Sequence, residues 1–268
     1  MFLGVLAILQ FASSRTHFRV QNYCGVILTV NDKKTAMVVS AHSADFVWRA
    51  GGAIALYATR GWKVTVVCLS FGERGESAKL WREPGMTLEK VKAVRKEEAI
   101  QAAEILGAQA RFMDAGDYPM RLGENALSEL VKMYRELQPE FILTHSLQDP
   151  YNFDHPLASH FAQEARIVAQ AHGHEPGKKI LGAPPVFLFE PHQPEQCEWK
   201  PQVVLDISPV WETKYAAFKV MAAQEHLWEY YERVALQRGV QGARNYNRKM
   251  KYGEAYQRIF PQVAEVLE

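Results

Sequence analysis

The chain has 268 residues, 48% of them hydrophobic and 23% charged, which is enough to bury a full core in one large domain. Thirty-one Lys and Arg against thirty Asp and Glu leave a formal charge of +1, so no global field favours nucleic acid or an acidic membrane, and an anionic substrate must be met by local charges. Cys24, Cys68 and Cys197 show no paired spacing, which argues against a disulfide framework and a cysteine zinc site and suits a reducing cytoplasm.

Met1 to Ala12 (MFLGVLAILQFA) is apolar but lacks a basic leader and falls short of the roughly 20 residues that span a bilayer. Residues 1–34 read as a poorly ordered extension, with initiation at Val30 as an alternative start, and residues 35–268 as one catalytic domain. From Thr35 onward, short β-branched runs alternate with long helical segments, the pattern of parallel βαβ units in a Rossmann-like α/β fold with helices on both faces.

Ala36 to Ala41 is the first expected strand, Asp45 to Arg60 a helix, and Lys63 to Ser70 the second strand. A polar loop from Phe71 to Met86 precedes a helix that Thr87 caps and Gly107 stops. Arg111 to Asp114 supplies a third strand, Glu124 to Leu137 a helix, and Phe141 to His145 a fourth strand. Asp154 is expected to cap a helix running from His155 to Ala171. Pro185 to Glu190 and Val203 to Ile207 are two later strands, followed by Pro209 to Arg238 as helix interrupted near Glu225.

In open parallel sheets ligands sit at the carboxyl ends of strands, so the residues just after each strand are the place to look. Four such places are polar: His42 to Asp45, Gly72 to Glu76, Asp149 to His155, and Glu190 to His192. His42, Asp45 and His155 make a sensible zinc set, because imidazole and carboxylate suit zinc and three protein ligands leave positions open.

Ala41 to Gly52 (AHSADFVWRAGG) and the later Asp154-His155 pair resemble the AHPDDE...GG and DH signatures of the LmbE/PIG-L metal-dependent deacetylases. Gly72-Glu73, the run Arg95-Lys96-Glu97-Glu98-Ala99 and Asp114 agree with it. The resemblance implies that His42, Asp45 and His155 hold the metal. It also exposes a departure: the family's general base, the residue before the metal-binding Asp, is here Ala44, and Phe46 replaces the usual acidic residue after it. Losing a positioned base typically costs about 10²- to 10⁴-fold in rate.

Longer runs, AHSADFVWRAGGAIALYA, VVCLSFGERGESAKLW, Gly116 to Arg121, DPYNFDHPLA, FEPHQPEQCEW and QEHLWEYYERVALQRG, resemble a hydratase branch of that family. Its members hydrate 4-oxalomesaconate, or its dienol tautomer, in gallate and protocatechuate degradation. The resemblance implies a cytoplasmic, zinc-dependent hydro-lyase acting on a small tricarboxylate, with neither nucleic acid nor membrane as partner and with assembly into a homo-oligomer.

Such a reaction needs a Lewis acid and groups that move protons. Glu76 and His192 are the acid/base candidates, Glu76 preferred over Glu73 because of the second acidic position in GERGE. The plainer readings are a loop carboxylate paired with Arg74 or Lys79, and a turn histidine. Arg49, Arg74, Arg82 and Arg121 are candidates for the substrate carboxylates, with Tyr118, Tyr151 and Asn152 as neutral partners. Trp228, Tyr230 and Tyr231 lie on a helix where packing or a subunit contact is the expected role. Two other readings compete: an N-acetyl sugar deacetylase, and a non-enzymatic metal- or carboxylate-binding protein.

Overall fold

The computed structural model describes residues 33–246 and 249–264; residues 1–32 of the expected extension lie outside them. β-branched and small residues build the first strands, β1 (Thr35–Ser40) and β2 (Lys63–Cys68), which pair in parallel. Both are buried nearly throughout, as strands covered on two faces must be. The remaining strands are β3 (Ala108–Phe112), β4 (Ile142–Thr144), β5 (Val186–Phe189), β6 (Val203–Asp206) and β7 (Gly253–Arg258). Together they form one sheet in the order β3-β2-β1-β4-β5-β7-β6. The first five are parallel; β7 runs antiparallel between β5 and β6.

Alternation along β1 divides the interior in two. Ala36 and Val38 join the apolar cluster beneath α1 (Asp45–Thr59), α3 (Leu88–Ile105), α6 (Trp211–Val220) and α7 (Trp228–Asn245). Met37 and Val39 join the cluster beneath α4 (Glu124–Leu137) and α5 (Asp154–Gln170). Helices therefore cover both faces, and strand order reverses at β1, placing a crevice beyond the carboxyl ends of β1 and β4.

Several boundaries differ from expectation. The third strand begins at Ala108, three residues early, because its register follows Val64 to Cys68 of β2. The loop after β2 holds one helical turn, α2 (Ala78–Trp81). The late helix is interrupted where expected, with non-helical backbone at Gln224 between two helices joined by 3-10 turns, but it runs on to Asn245 instead of ending at Arg238. β7 was not expected at all; the basic run Lys249 to Lys251 leads into it. Thr87 does cap α3, accepting from the Lys90 N–H at 3.3 Å. Among the described residues no helix is long and apolar enough to cross a membrane.

Candidate metal centre and cleft

His42 and Asp45 sit where β1 gives way to α1, Glu76 in the loop after β2, and His155 in the first turn of α5. Each offers one ligand atom, and these atoms lie within 4.8 Å of one another. His42 Nδ1 is 3.1 Å from Asp45 Oδ2 and 3.1 Å from Glu76 Oε1. His155 Nε2 is 3.4 Å from Asp45 Oδ1 and 4.0 Å from Glu76 Oε1. The structure thus draws Glu76, expected only as an acid/base group, into the same cluster as the three expected ligands.

The imidazoles are aimed by a second ring of carboxylates. Asp149 Oδ2 lies 2.8 Å from His155 Nδ1, and Asp154 Oδ2 lies 3.2 Å from His42 Nε2. Each arrangement turns one ring nitrogen of the histidine toward the cluster. His155 Nε2 is buried and has no hydrogen-bond partner, an expensive state for a polar atom unless something else occupies that position. Two imidazoles, two carboxylates and an orphaned nitrogen fit a divalent metal.

The electrostatics agree with a cation site. Burial pushes His42 down, but Glu76, Asp154 and Asp45 overcome this and hold it well above the ordinary histidine range. Burial likewise opposes ionisation of Asp45, yet His155, helped by a hydrogen bond with His42, keeps it well below the carboxylate range. Asp154 is brought down to about 2 against the effect of burial, by His42 and by the N–H groups of Tyr118 and Met120.

Asp154 is therefore not the expected helix cap. Its Oδ2 accepts from Tyr118 N and its Oδ1 from Met120 N, both at 2.9 Å, and it stands inside α5, preceded by Phe153 at a cap position with no side-chain bond. A carboxylate committed to His42 and two loop amides is unavailable to the helix end. His145, which did not stand out in the sequence, stacks on His155 with ring centroids 4.3 Å apart. Its Nε2 accepts from Ala41 N at 2.9 Å, so it supports the cluster as a neutral ring.

Two glycines let the loop after β2 approach. At Gly72, with φ of +67°, an added Cβ would lie 3.2 Å from the His42 Cβ and 3.3 Å from the Glu76 Cβ. At Gly75 it would lie 2.2 Å from the ring of Tyr118. Asp117 secures the same loop by accepting from Arg74 N and Gly75 N. Glu73 turns the other way: it is buried, accepts from Phe71 N and faces Lys92, and burial raises it above the ordinary carboxylate range. Ala44 is fully buried in the apolar cluster under α1.

Beside the cluster opens a cleft of about 240 Å³. Arg49, Glu76, Tyr118, Asn152 and His192 all line it, together with Asp45 and His155. Arg74, Arg82 and Arg121 do not: all three are exposed, on loops whose side chains point to solvent, and Arg121 borders a separate surface groove. Arg49 is the single guanidinium among the described lining residues; its Nη1 donates to Glu190 O at 3.0 Å, while its buried Nε makes no hydrogen bond and lies 3.5 Å from Asp45 Oδ1 as an ion pair. Asn152 spends Oδ1 on Asp154 N and Nδ2 on the Tyr118 hydroxyl, so it holds Tyr118 in place. Glu76 pairs with neither Arg74 nor Lys79; Lys79 is engaged by Glu225.

The aromatic residues of α7 do more than pack. Tyr230 stacks on His192 at 4.0 Å and donates its hydroxyl proton to His192 O, while Tyr231 stacks on Trp48 at 5.6 Å and lines the cleft. Helical spacing revealed an apolar face but not which wall that face would form.

A family model described as GlcNAc-PI de-N-acetylase, PIG-L, matches residues 37–166. The 4-oxalmesaconate hydratase of Pseudomonas putida KT2440 is 65% identical over 239 residues, spanning 88% of this chain and 93% of the relative. A crystal structure of the 4-carboxy-2-hydroxymuconate hydratase from Pseudomonas putida KT2440 aligns with a TM-score of 0.86 at 65% identity, over 88% of this chain and 100% of that one. The N,N'-diacetylchitobiose deacetylase of Pyrococcus horikoshii, at 21% identity and a TM-score of 0.71 over 85% of this chain and 84% of that one, shares the fold. The fold is thus of the LmbE/PIG-L type, and by its likeness to the Pseudomonas relative the chain belongs to the 4-oxalmesaconate hydratase family.

Proposed function

We propose that this protein is a zinc-dependent hydro-lyase that adds water to the conjugated double bond of 4-oxalomesaconate, or of its dienol tautomer, giving 4-carboxy-4-hydroxy-2-oxoadipate. The observation that carries this reading is the 65% identity over 239 residues, which continues well past the segment common to the deacetylases. The geometry fits it. With Ala44 buried, the position that would supply a deacetylase base is part of the core, whereas Glu76 stands in the cluster itself.

His42, Asp45 and His155 would hold the zinc, with Glu76 close enough to touch it; bound there, zinc supplies a Lewis acid for a substrate oxygen or water. The chain's own groups move the protons. Glu76 takes the proton from the attacking water, whose oxygen joins the β carbon of the enone, and returns it to the α carbon as the resulting enolate becomes the ketone. His192 serves the other end. Burial, then the charge of Arg49, pushes it below the ordinary histidine value, so at neutral pH it is an uncharged acceptor for the enol proton of the dienol tautomer. Once protonated it is a stronger acid than usual and passes that proton to the far carbon of the dienol, which forms the enone that water attacks. Arg49 and the Tyr118 hydroxyl supply donors for carboxylate oxygens.

The direct test is to incubate the purified, metal-loaded protein with the product of gallate or protocatechuate 4,5-cleavage and follow its ultraviolet absorbance. Loss of absorbance is expected. Unchanged absorbance, with release of acetate from an N-acetylglucosaminide, would replace the hydratase reading by a deacetylase one.

Two further outcomes test the roles. Because the neutral form of His192 accepts the proton, kcat/KM should be level through neutral pH and fall about tenfold per unit only below the ordinary value of 6.5. An acid limb centred above that value would contradict it. Asp149→Asn should weaken zinc binding by about 10- to 100-fold by loosening His155, measured by competition with a chromophoric chelator. An unchanged zinc affinity would remove Asp149 from the support of the metal.

A further inference from the structure

The Arg95-to-Ala99 run lies on α3, where Arg95 is completely buried. None of its residues lines the cleft, but an internal Arg95–Glu98 pair and two bonds from it tie the run to the 3-10 segment Ala222–Leu227, which does. Arg95 Nη1 donates to Glu98 Oε2 at 2.5 Å, and Arg95 Nη2 donates to Gln224 Oε1 at 2.7 Å. Glu98 Oε1 accepts from Ala223 N at 2.9 Å. A fourth bond, from Arg95 Nε to Phe71 O at 3.4 Å, reaches the start of the loop that carries Glu76.

A guanidinium has donors only. Facing Arg95, the Gln224 amide must present its oxygen, so it cannot flip, and the end left for the cleft is its NH₂. Among the described residues that nitrogen has no hydrogen-bond partner. Gln224 is buried and lines the cleft on the wall that also holds Leu227 and Tyr231. The cleft needs such a donor. Asp45, Glu76 and Asp149 make it acidic, and a tricarboxylate finds one guanidinium there, from Arg49.

We propose that Gln224 is a substrate-binding residue whose side-chain amide, fixed in orientation by the buried Arg95–Glu98 pair, donates a hydrogen bond to a carboxylate oxygen of the substrate. Arg95 and Glu98 are positioning residues for it. The inference rests on the hydratase reading for the identity of the substrate, but the cleft chemistry alone specifies a carboxylate ligand.

Gln224→Met removes the donor at similar length. Gln224→Glu keeps an oxygen facing Arg95, so it preserves the internal pair, while turning a second oxygen toward the substrate. A hydrogen bond to a charged group is worth about tenfold or more in affinity. Gln224→Glu should retain zinc and its melting temperature, whereas Gln224→Met, which also takes the acceptor from buried Arg95 Nη2, should retain zinc but melt lower; both should keep kcat within about threefold and raise KM about tenfold or more, Glu above Met. Trans-aconitate binding by calorimetry, a probe that needs no turnover, should weaken to a similar extent. If Gln224→Glu keeps the wild-type KM and aconitate affinity, or the wild type binds no aconitate, the proposal is overturned. Failure of the wild type to hydrate the ring-cleavage product while it still binds aconitate would instead sink the hydratase reading, and the aconitate series would continue to report on Gln224.

Discussion

Replacing His155 with alanine is expected to strip the protein of its metal and reduce hydration to background. His155 Nε2 is the orphaned nitrogen of the cluster, with Asp45 Oδ1 at 3.4 Å, and its other nitrogen is already taken by Asp149. Removal does not merely delete one of four donors. It leaves Asp45, Asp149 and Glu76 around a hole with His42 as the remaining imidazole of the cluster, so two buried carboxylates, Asp45 and Asp149, lose the ring that lies between them. The loss in zinc affinity should therefore exceed the roughly 10- to 100-fold typical of an outer partner such as Asp149. Metal content after gel filtration, read by atomic emission, and turnover of the ring-cleavage product are the two measurements. Dialysis of the wild type against a strong chelator should abolish the same turnover, and added zinc should restore it. A His155→Ala protein with stoichiometric zinc and wild-type kcat would show that the ligand set lies elsewhere.

The parts of this site that could be read in advance were those announced by local pattern. Thr87 and Gly107 bracket α3 because a capping hydroxyl and a positive-φ glycine act within one turn. Glu124–Leu137 follows its helical periodicity without error. The four polar strand ends converge because parallel strands point their carboxyl ends the same way.

What stayed hidden depends on partners distant in sequence. His145 looks like the last residue of a strand until its Nε2 meets Ala41, 104 positions away. Asp154 reads as a cap because carboxylates cap helices, but His42 and two loop amides hold it more firmly. Four candidate arginines could not be ranked from sequence, since charge says nothing of direction; Arg49 alone of the four lines the cleft, its guanidinium donating to Glu190 O. β7 was missed because Gly253 to Arg258 has little apolar alternation: it buries Glu254, whose Oε1 meets Lys214 at 2.5 Å and whose two oxygens accept from Gly52 N and Ala53 N.

Glu76→Gln separates the two roles that the geometry offers this residue. Glutamine keeps the length and an oxygen donor atom but cannot hold water's proton, so the substitution tests proton transfer with little change in shape. Gly72 and Gly75 leave the loop its tight path in the variant, and Asp117 continues to hold the backbone at residues 74 and 75. The expected result is a kcat lower by about 10²- to 10⁴-fold, the usual loss for a positioned base, with KM little changed and zinc retained on His42, Asp45 and His155. Should Glu76 be indispensable as a ligand instead, zinc would be lost along with activity, and excess zinc in the assay would restore turnover in part. If kcat stays within threefold of wild type with zinc in place, Glu76 does not take the proton, and the base must be sought among the other acidic groups of the cleft. Asp149 would be first among them, because it lines the cleft and touches His155.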